Sequence, residues 1–282
     1  MNGAEVKRLS RLVFLGTGTS QGVPIIGCHC EVCASMDSKD ERLRASVVLE
    51  SESSRVVIDT GPDFRIQMLR EGFESLDAIV YTHEHKDHLA GMDDIRPFNY
   101  LQKQAMTVHA SDRVEKALRR DFHYAFEKLK HGGVPDVHVS RIQDGESFMA
   151  GQMSWYPLSV MHGQLPIHGF RVDNVAYVTD ASAISEKTRN EMHGLEVLVL
   201  NALRPRNHYS HFSLSEALDV AEAVGAKITY LTHISHLMGI HSIVEQDLPQ
   251  GVRLAYDGLS LARKGGEWRE QHASWLDKRL KS

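Results

Sequence analysis

The sequence predicts a layered α/β domain. Three observations carry that expectation: short apolar, β-branched runs recur along the chain, amphipathic helical patterns are mixed among them, and no internal repeat imposes a period. At 282 residues, with 42% hydrophobic and 24% charged residues, the chain can bury a substantial core. No Pro/Ser/Gly-rich linker marks a boundary, so residues 1–282 are expected to form a single domain.

Strands are expected over residues 12–15, 46–49, 56–58, 78–81, 107–109, 137–139, 153–161, 170–172, 175–178, 197–200, 228–231 and 252–256. Helices are expected over 64–71, over 112–130 with Ser111 as its cap, and over 185–192, which opens on Ser-x-x-Thr. Residues 213–224 open on Ser213 and Glu216, a capping box. The tail, 268–280, is expected to close the fold as a surface helix. Residues 111–135 interrupt the strand pattern and are the candidate for a helical cap inserted beside the site.

The net charge of −5 argues against a protein that grips nucleic acid through bulk positive charge. Behind the charged N-terminus, Leu12-Val13-Phe14-Leu15 is too short for a signal-peptide core or a membrane span. A cytoplasmic protein without a membrane partner is therefore expected. Its oligomeric state, a homodimer included, is left open.

Chemistry concentrates where strands end. Expected strands lead into His83, His162, Asp180 and His233, and His83 opens a loop that also holds His85, Asp87 and His88. A single histidine or aspartate after a strand is usually a turn residue or a satisfied polar group. Four such donors within six residues would repel or stay unpaired if buried without a cation. The cysteines Cys28, Cys30 and Cys33 are equally concentrated. Their odd number and tight spacing make a poor disulfide framework and suit a metal better. A closed tetrahedral site then needs a donor from elsewhere, and His236 in Thr232-His233-Ile234-Ser235-His236 is the best candidate, ahead of His29 or His241. The alternative is an apolar cluster of buried or labile thiols.

His83-Glu84-His85-Lys86-Asp87-His88 resembles the His-x-His-x-Asp-His signature of the metallo-β-lactamase superfamily, and His162, Asp180 and His233 match its later ligands in order. The resemblance covers roughly residues 12–261. It implies an αββα four-layer sandwich with one divalent metal on His83, His85 and His162. A second would sit on Asp87, His88 and His233, with Asp180 bridging. Asp59, in Asp59-Thr60-Gly61, matches the motif that supports the metal loop without binding metal. Imidazole and carboxylate donors suit zinc, manganese or iron alike. Paired cations would supply hydroxide at neutral pH and stabilise charge on a reacting phosphoryl or acyl oxygen.

Within that superfamily, Cys-x-Cys-x-x-Cys combined with Thr-His-Ile-Ser-His is similar to the phosphodiesterases of the bacterial carbon–phosphorus lyase pathway and their relatives. That implies a third, structural zinc on Cys28, Cys30, Cys33 and His236. It also implies that His211, just before the capping-box helix, contacts phosphate or protonates the leaving oxygen, with His208 a near competitor. His211 and Asp87 are accordingly the side chains assigned to the chemical step. The run Gly16-Thr17-Gly18-Thr19-Ser20-Gln21-Gly22 looks like a phosphate loop but lacks its Lys-Ser/Thr ending.

The resulting expectation is a metal-dependent hydrolase of a small cyclic or nucleotide-like phosphodiester, using a metal-bridging hydroxide. A lactonase or glyoxalase-type thioesterase on the same metals is the alternative, as is an RNA 3′-processing nuclease, which the charge and the lack of a basic arm disfavour. Arg96, Arg204 and Arg206 are candidate phosphate contacts, although surface arginine is the commoner explanation for each.

Overall fold

The apolar runs become strands of two sheets in a computed structural model, which describes residues 6–127 and 133–271. In chain order, β1 (Arg11–Gly16), β2 (Ser46–Glu50), β3 (Arg55–Ile58), β4 (Ala78–Val80), β5 (Met106–Ala110) and β6 (Val137–Arg141) enter one sheet. The second holds β7 (Phe148–Ala150), β8 (Met153–His162), β9 (Leu165–Val172), β10 (Val175–Val178), β11 (Val197–Asn201), β12 (Ile228–Thr232) and β13 (Val252–Leu254). The chain then returns to the first sheet as β14 (Ser260–Lys264) and β15 (Glu267–Gln271), giving the order β15-β14-β1-β2-β3-β4-β5-β6.

Side-chain alternation along each strand builds the layers. Leu12 and Phe14 of β1 point into a core shared with Trp155, Phe170 and Tyr230 of the opposite sheet. Val13 and Leu15 point the other way, against Phe64 and Met68 of α1 (Phe64–Glu71) and Val114 and Leu118. In the second sheet Tyr177 and Val199 face inward, while Val178 and Leu200 face Ala217 and Val224. With both faces covered, the strands read as continuous apolar runs rather than alternating ones. The architecture is the expected αββα sandwich. Each fully buried aliphatic or aromatic side chain contributes about 1.5–3 kcal/mol relative to exposure.

The remaining helices are α2 (Lys86–Leu89), α3 (Arg96–Gln102), α4 (Asp112–Asp121), α5 (Glu186–Glu191), α6 (Leu214–Val224) and α7 (His241–Asp247). Ser111, Ser185 and Ser213 each accept a backbone N–H at a helix start, and Glu216 completes the capping box on α6. Gly225 ends α6 in the left-handed conformation, φ 67°.

Some expectations change. The tail helix expected from residue 268 is contradicted at its start: residues 268–271 belong to β15, which pairs antiparallel with β14, and the rest lies outside the described residues. The helix expected over 112–130 closes at Asp121, followed by a 3₁₀ turn at His123–Phe126, and residues 128–132 are also outside the described ones. The glycine run serves backbone packing: a Cβ on Gly16 would stand 2.0 Å from the Arg44 carbonyl, and one on Gly18 would stand 2.8 Å from that of Arg42.

Candidate metal centre

Parallel pairing puts the important strand ends on one edge. β3 to β6 run parallel, as do β10 to β13, with Ile58 level with Val80, Val178 with Leu200 and Asn201 with Thr232. Beyond those pairs lie Asp59, His83, Asp180 and His233, and β8 delivers His162 beside them. Three of these residues turn sharply: Asp59, Asp180 and His233 have φ of 64°, 59° and 55°. Left-handed backbone at non-glycine residues costs about 1–3 kcal/mol, and it gathers here at one site.

The loop from His83 to His88 is clamped from behind. Asp59 accepts the Thr82 N–H at 2.8 Å and the Thr82 hydroxyl at 2.7 Å, and meets His88 Nδ1 at 2.7 Å. Gly61 permits close docking, since a Cβ there would fall 2.2 Å from the Asp87 carbonyl. The sequence-predicted ligands then converge in two groups. Donor atoms of His83, His85 and His162 lie within 4.8 Å of one another, as do those of Asp87, His88, Asp180 and His233. Asp180 also groups with His162 and His211.

The donor chemistry tests whether cations fit. Asp59 occupies Nδ1 of His88, which leaves Nε2 as the ring atom that faces the cluster. That nitrogen is buried, 3.0 Å from Asp180 Oδ2 and 3.2 Å from Asp87 Oδ2. His233 Nε2 likewise stands 3.0 Å from Asp180 Oδ1 with no hydrogen bond. His162 donates Nδ1–H to the Ser210 carbonyl at 2.7 Å, which leaves its Nε2 free as a donor to metal. Ring nitrogens set this close to carboxylates require positive charge between them, either a proton or a metal cation. Burial opposes a second proton on His88, yet Asp87, Asp180 and Asp59 outweigh burial and hold its pKa well above the usual range. Burial and the His88 charge push His83 well below. The cluster is thus built around positive charge, and divalent ions fit it.

Cys28, Cys30, Cys33 and His236 also meet. His236 Nδ1 lies 3.3 Å from the sulfurs of Cys28 and Cys30 and 3.5 Å from that of Cys33. A tetrahedral ion with ordinary zinc bond lengths separates nitrogen and sulfur by about 3.5 Å. Hydrogen bonding from the Cys33 backbone draws Cys30 down to about 6, while burial pushes Cys33 up to about 11.

His211 lies against the cluster, its ring 4.6 Å from that of His162 and 4.8 Å from that of His233, with Nδ1 3.4 Å from Asp180 Oδ1. Burial, reinforced by His233, lowers its pKa to about 3. His208 sits one step out, ring to ring 5.1 Å from His211. The arginines are engaged elsewhere or exposed: Arg96 pairs with Asp93 and the Gly133 carbonyl, Arg204 bonds its own loop, and Arg206 is exposed. Sequence reasoning missed a cavity of about 410 Å³ beside His83, bounded by Glu84, Arg113, Asp144, Ser159, Ile167 and His168. It also missed Asn201 as a partner of the site.

Two facing sheets with histidines and carboxylates collected at their shared edge define the αββα fold class with a candidate metal site. The chain belongs to the beta-lactamase superfamily: the family model "Beta-lactamase superfamily domain" matches residues 54–234. A solved diphosphatase from the PhnP family is 41% identical, with TM-score 0.84, over 90% of this chain and 98% of that one. The octanoyltransferase of Porphyromonas gingivalis is 37% identical over 251 residues, 88% of this chain and 51% of that protein. This chain therefore spans about half the length of that curated relative. Zn(2+)-bound PqqB from Methylobacterium extorquens shares the fold at 18% identity and TM-score 0.70, over 89% and 99% of the two chains. The fold implies divalent metals. Among the described residues no helix is long and apolar enough to cross a membrane.

Proposed function

We propose that the chain is a dinuclear phosphodiesterase acting on a small cyclic or nucleotide-like phosphodiester. His83, His85 and His162 would hold one metal, Asp87, His88 and His233 the other, and Asp180 both. Zinc, manganese or iron bound there would supply hydroxide at neutral pH and neutralise charge developing on the phosphoryl oxygens. Cys28, Cys30, Cys33 and His236 would hold a structural zinc with no open position.

The observation that carries phosphorus over carbon chemistry is His211. It is an additional imidazole pressed against a donor set that already suffices for two metals, and acyl hydrolysis does not need it. With its pKa at about 3 the ring is neutral before substrate arrives. An approaching phosphate anion favours the imidazolium, so the ring would take a proton from solvent water as substrate binds and pass it to the leaving oxygen. Asp87 would hold the second metal and, through it, help to orient the reacting centre. The likeness to a diphosphatase supports the same reading. A phosphorus within a diphosphate diester, like that of a simple diester, bears two bridging oxygens and one negative charge.

The start of the expected cap borders the site in this reading, because Ser111, Asp112 and Arg113 line the cavity that opens against Thr82, His83 and Glu84. The organic arm of the ester would occupy that space, whose volume is within the usual range for ligand sites. Its size suits a small molecule rather than folded RNA.

One observation favours a second reading, acyl ester or thioester hydrolysis: the relative named for octanoyl transfer. A substrate panel separates the two. Bis(p-nitrophenyl) phosphate, 2′,3′-cyclic nucleotides, a diphosphate-linked dinucleotide, a lactone and a thioester are assayed with Mn²⁺ and with Zn²⁺. Turnover of the phosphoesters with little acyl hydrolysis is expected. Good lactonase or thioesterase activity without diesterase activity would overturn the phosphodiesterase reading.

A further inference from the structure

We infer that Asn201 is a positioning residue that sets the spacing of Asp180, His233 and His211. The inference rests on the ligand reading above, and Asn201 is not itself a ligand because both polar atoms of its side chain are bonded to Ala181. Asn201 ends β11, the strand between β10 and β12, and is fully buried. Its neighbours on both sides end in residues of the metal cluster.

On one side the β10–β11 ladder stops at Val178 and Leu200, because the chain swings into the left-handed turn at Asp180. The Asn201 side chain takes over there. Its Oδ1 accepts the Ala181 N–H at 2.7 Å, and its Nδ2 donates to the Ala181 carbonyl at 2.9 Å. An amide side chain thus imitates the two bonds of a backbone ladder and fixes the residue directly after Asp180. The same Ala181 carbonyl accepts the N–H of Phe212 at 2.8 Å, which fixes the residue directly after His211.

On the other side, the Asn201 backbone is level with Thr232, and the next N–H, of Ala202, donates to the Thr232 carbonyl at 2.9 Å. Thr232 immediately precedes His233. One buried residue therefore joins three site-bearing segments through contacts at their adjacent residues. The functional atoms it separates lie close together: His233 Nε2 is 3.0 Å, and His211 Nδ1 3.4 Å, from Asp180 Oδ1.

Removing the amide leaves the Ala181 N–H buried without its partner and frees the left-handed turn to relax. The expected consequence is loss of metal affinity at the catalytic pair, of the size found for outer partners of metal ligands, about 10–100-fold. The measurement is zinc bound per chain across a series of buffered free-zinc concentrations, using purified holoenzyme. The Cys28, Cys30, Cys33 and His236 ion serves as internal reference. Asn201→Ala should need higher free zinc to fill the catalytic pair and leave the reference ion in place. If Asn201→Ala does not fold, the isosteric Asn201→Asp carries the same test. It keeps an acceptor for the Ala181 N–H but sets an oxygen against the Ala181 carbonyl. A variant with a lowered melting temperature and wild-type affinity at the pair would reduce Asn201 to a structural role and overturn the inference. Wild-type protein that binds zinc at the cysteines alone would sink the ligand reading beneath it.

Discussion

His88 carries the logic of the site at the scale of single residues. Its Nδ1 is committed to Asp59, so its Nε2 faces two carboxylates and calls for positive charge between them. Ligand removal is expected to abolish turnover without unfolding the chain, because the histidines and carboxylates add little to the apolar layers. His83→Ala and Asp180→Ala should therefore be inactive while keeping the circular dichroism of the parent. Near-normal diesterase activity in metal-analysed protein would refute the assignment. His211→Ala should slow hydrolysis of an alkyl phosphodiester by about 10²–10⁴-fold, the range of a general acid. A nitrophenyl diester should suffer much less, since its leaving group hardly needs a proton, and equal losses would turn His211 into a phosphate contact. Most of these residues were legible because four donors crowd one short loop and the others each follow an apolar run. Asn201 was not, since a lone asparagine inside a strand has no spacing that announces its partner.

Loops, rather than strands, decide the geometry at the scale of elements. The His83–His88 loop rests on the Asp59-Thr60-Gly61 turn with no room for a methyl group at Gly61. Gly61→Ala must push the Asp87 carbonyl aside, and a displacement near 1 Å in a catalytic site costs about 10²-fold. A fall in kcat of that order is expected, with the cysteine zinc retained. The cysteine loop is joined to the last ligand through His236, three residues beyond His233. Cys30→Ser should lose about one zinc per chain, melt at lower temperature and keep part of its activity. Full retention of zinc by metal analysis would count against the closed site.

The strands of the central sheets were readable from apolar runs, because burial on both faces leaves no polar alternation to blur them. Shorter elements escaped. Helix α2 spans only Lys86–Leu89 and carries no apolar period, and β15 is Glu267–Gln271, an edge strand rich in charged and polar side chains. Its charge suited a surface helix equally well, and only pairing with β14 decides the matter.

For the molecule as a whole, two sheets with helices outside hold a rigid edge on which ligands from distant segments meet. Asp59 and His83 belong to one sheet, while His162, Asp180 and His233 belong to the other. Metal binding should therefore tie the two halves together and add to the stability of the fold. An ion that binds only the folded chain stabilises it by about 2.7 kcal/mol at a free concentration one hundred times its dissociation constant. Chelation of the catalytic metals should lower the melting temperature reversibly, and an unchanged melting curve after verified metal removal would contradict this coupling. The αββα architecture and the family were legible in the sequence because the ligand signature and the strand order reinforce each other. The cavity beside His83 was not, since Glu84, Asp144, Ser159 and His168 come together only when β8 and β9 close over the first sheet.

On the proposed reading a pair of cations, not hydrogen bonding alone, reconciles the ring nitrogens and carboxylates that face one another. Anomalous diffraction from crystals of protein purified with zinc tests it most directly. Two neighbouring peaks are expected, one among His83, His85 and His162 and the other among Asp87, His88 and His233, both touching Asp180, with a third among Cys28, Cys30, Cys33 and His236. A zinc-replete crystal with density at the cysteines and none between His88 and Asp180 would contradict it.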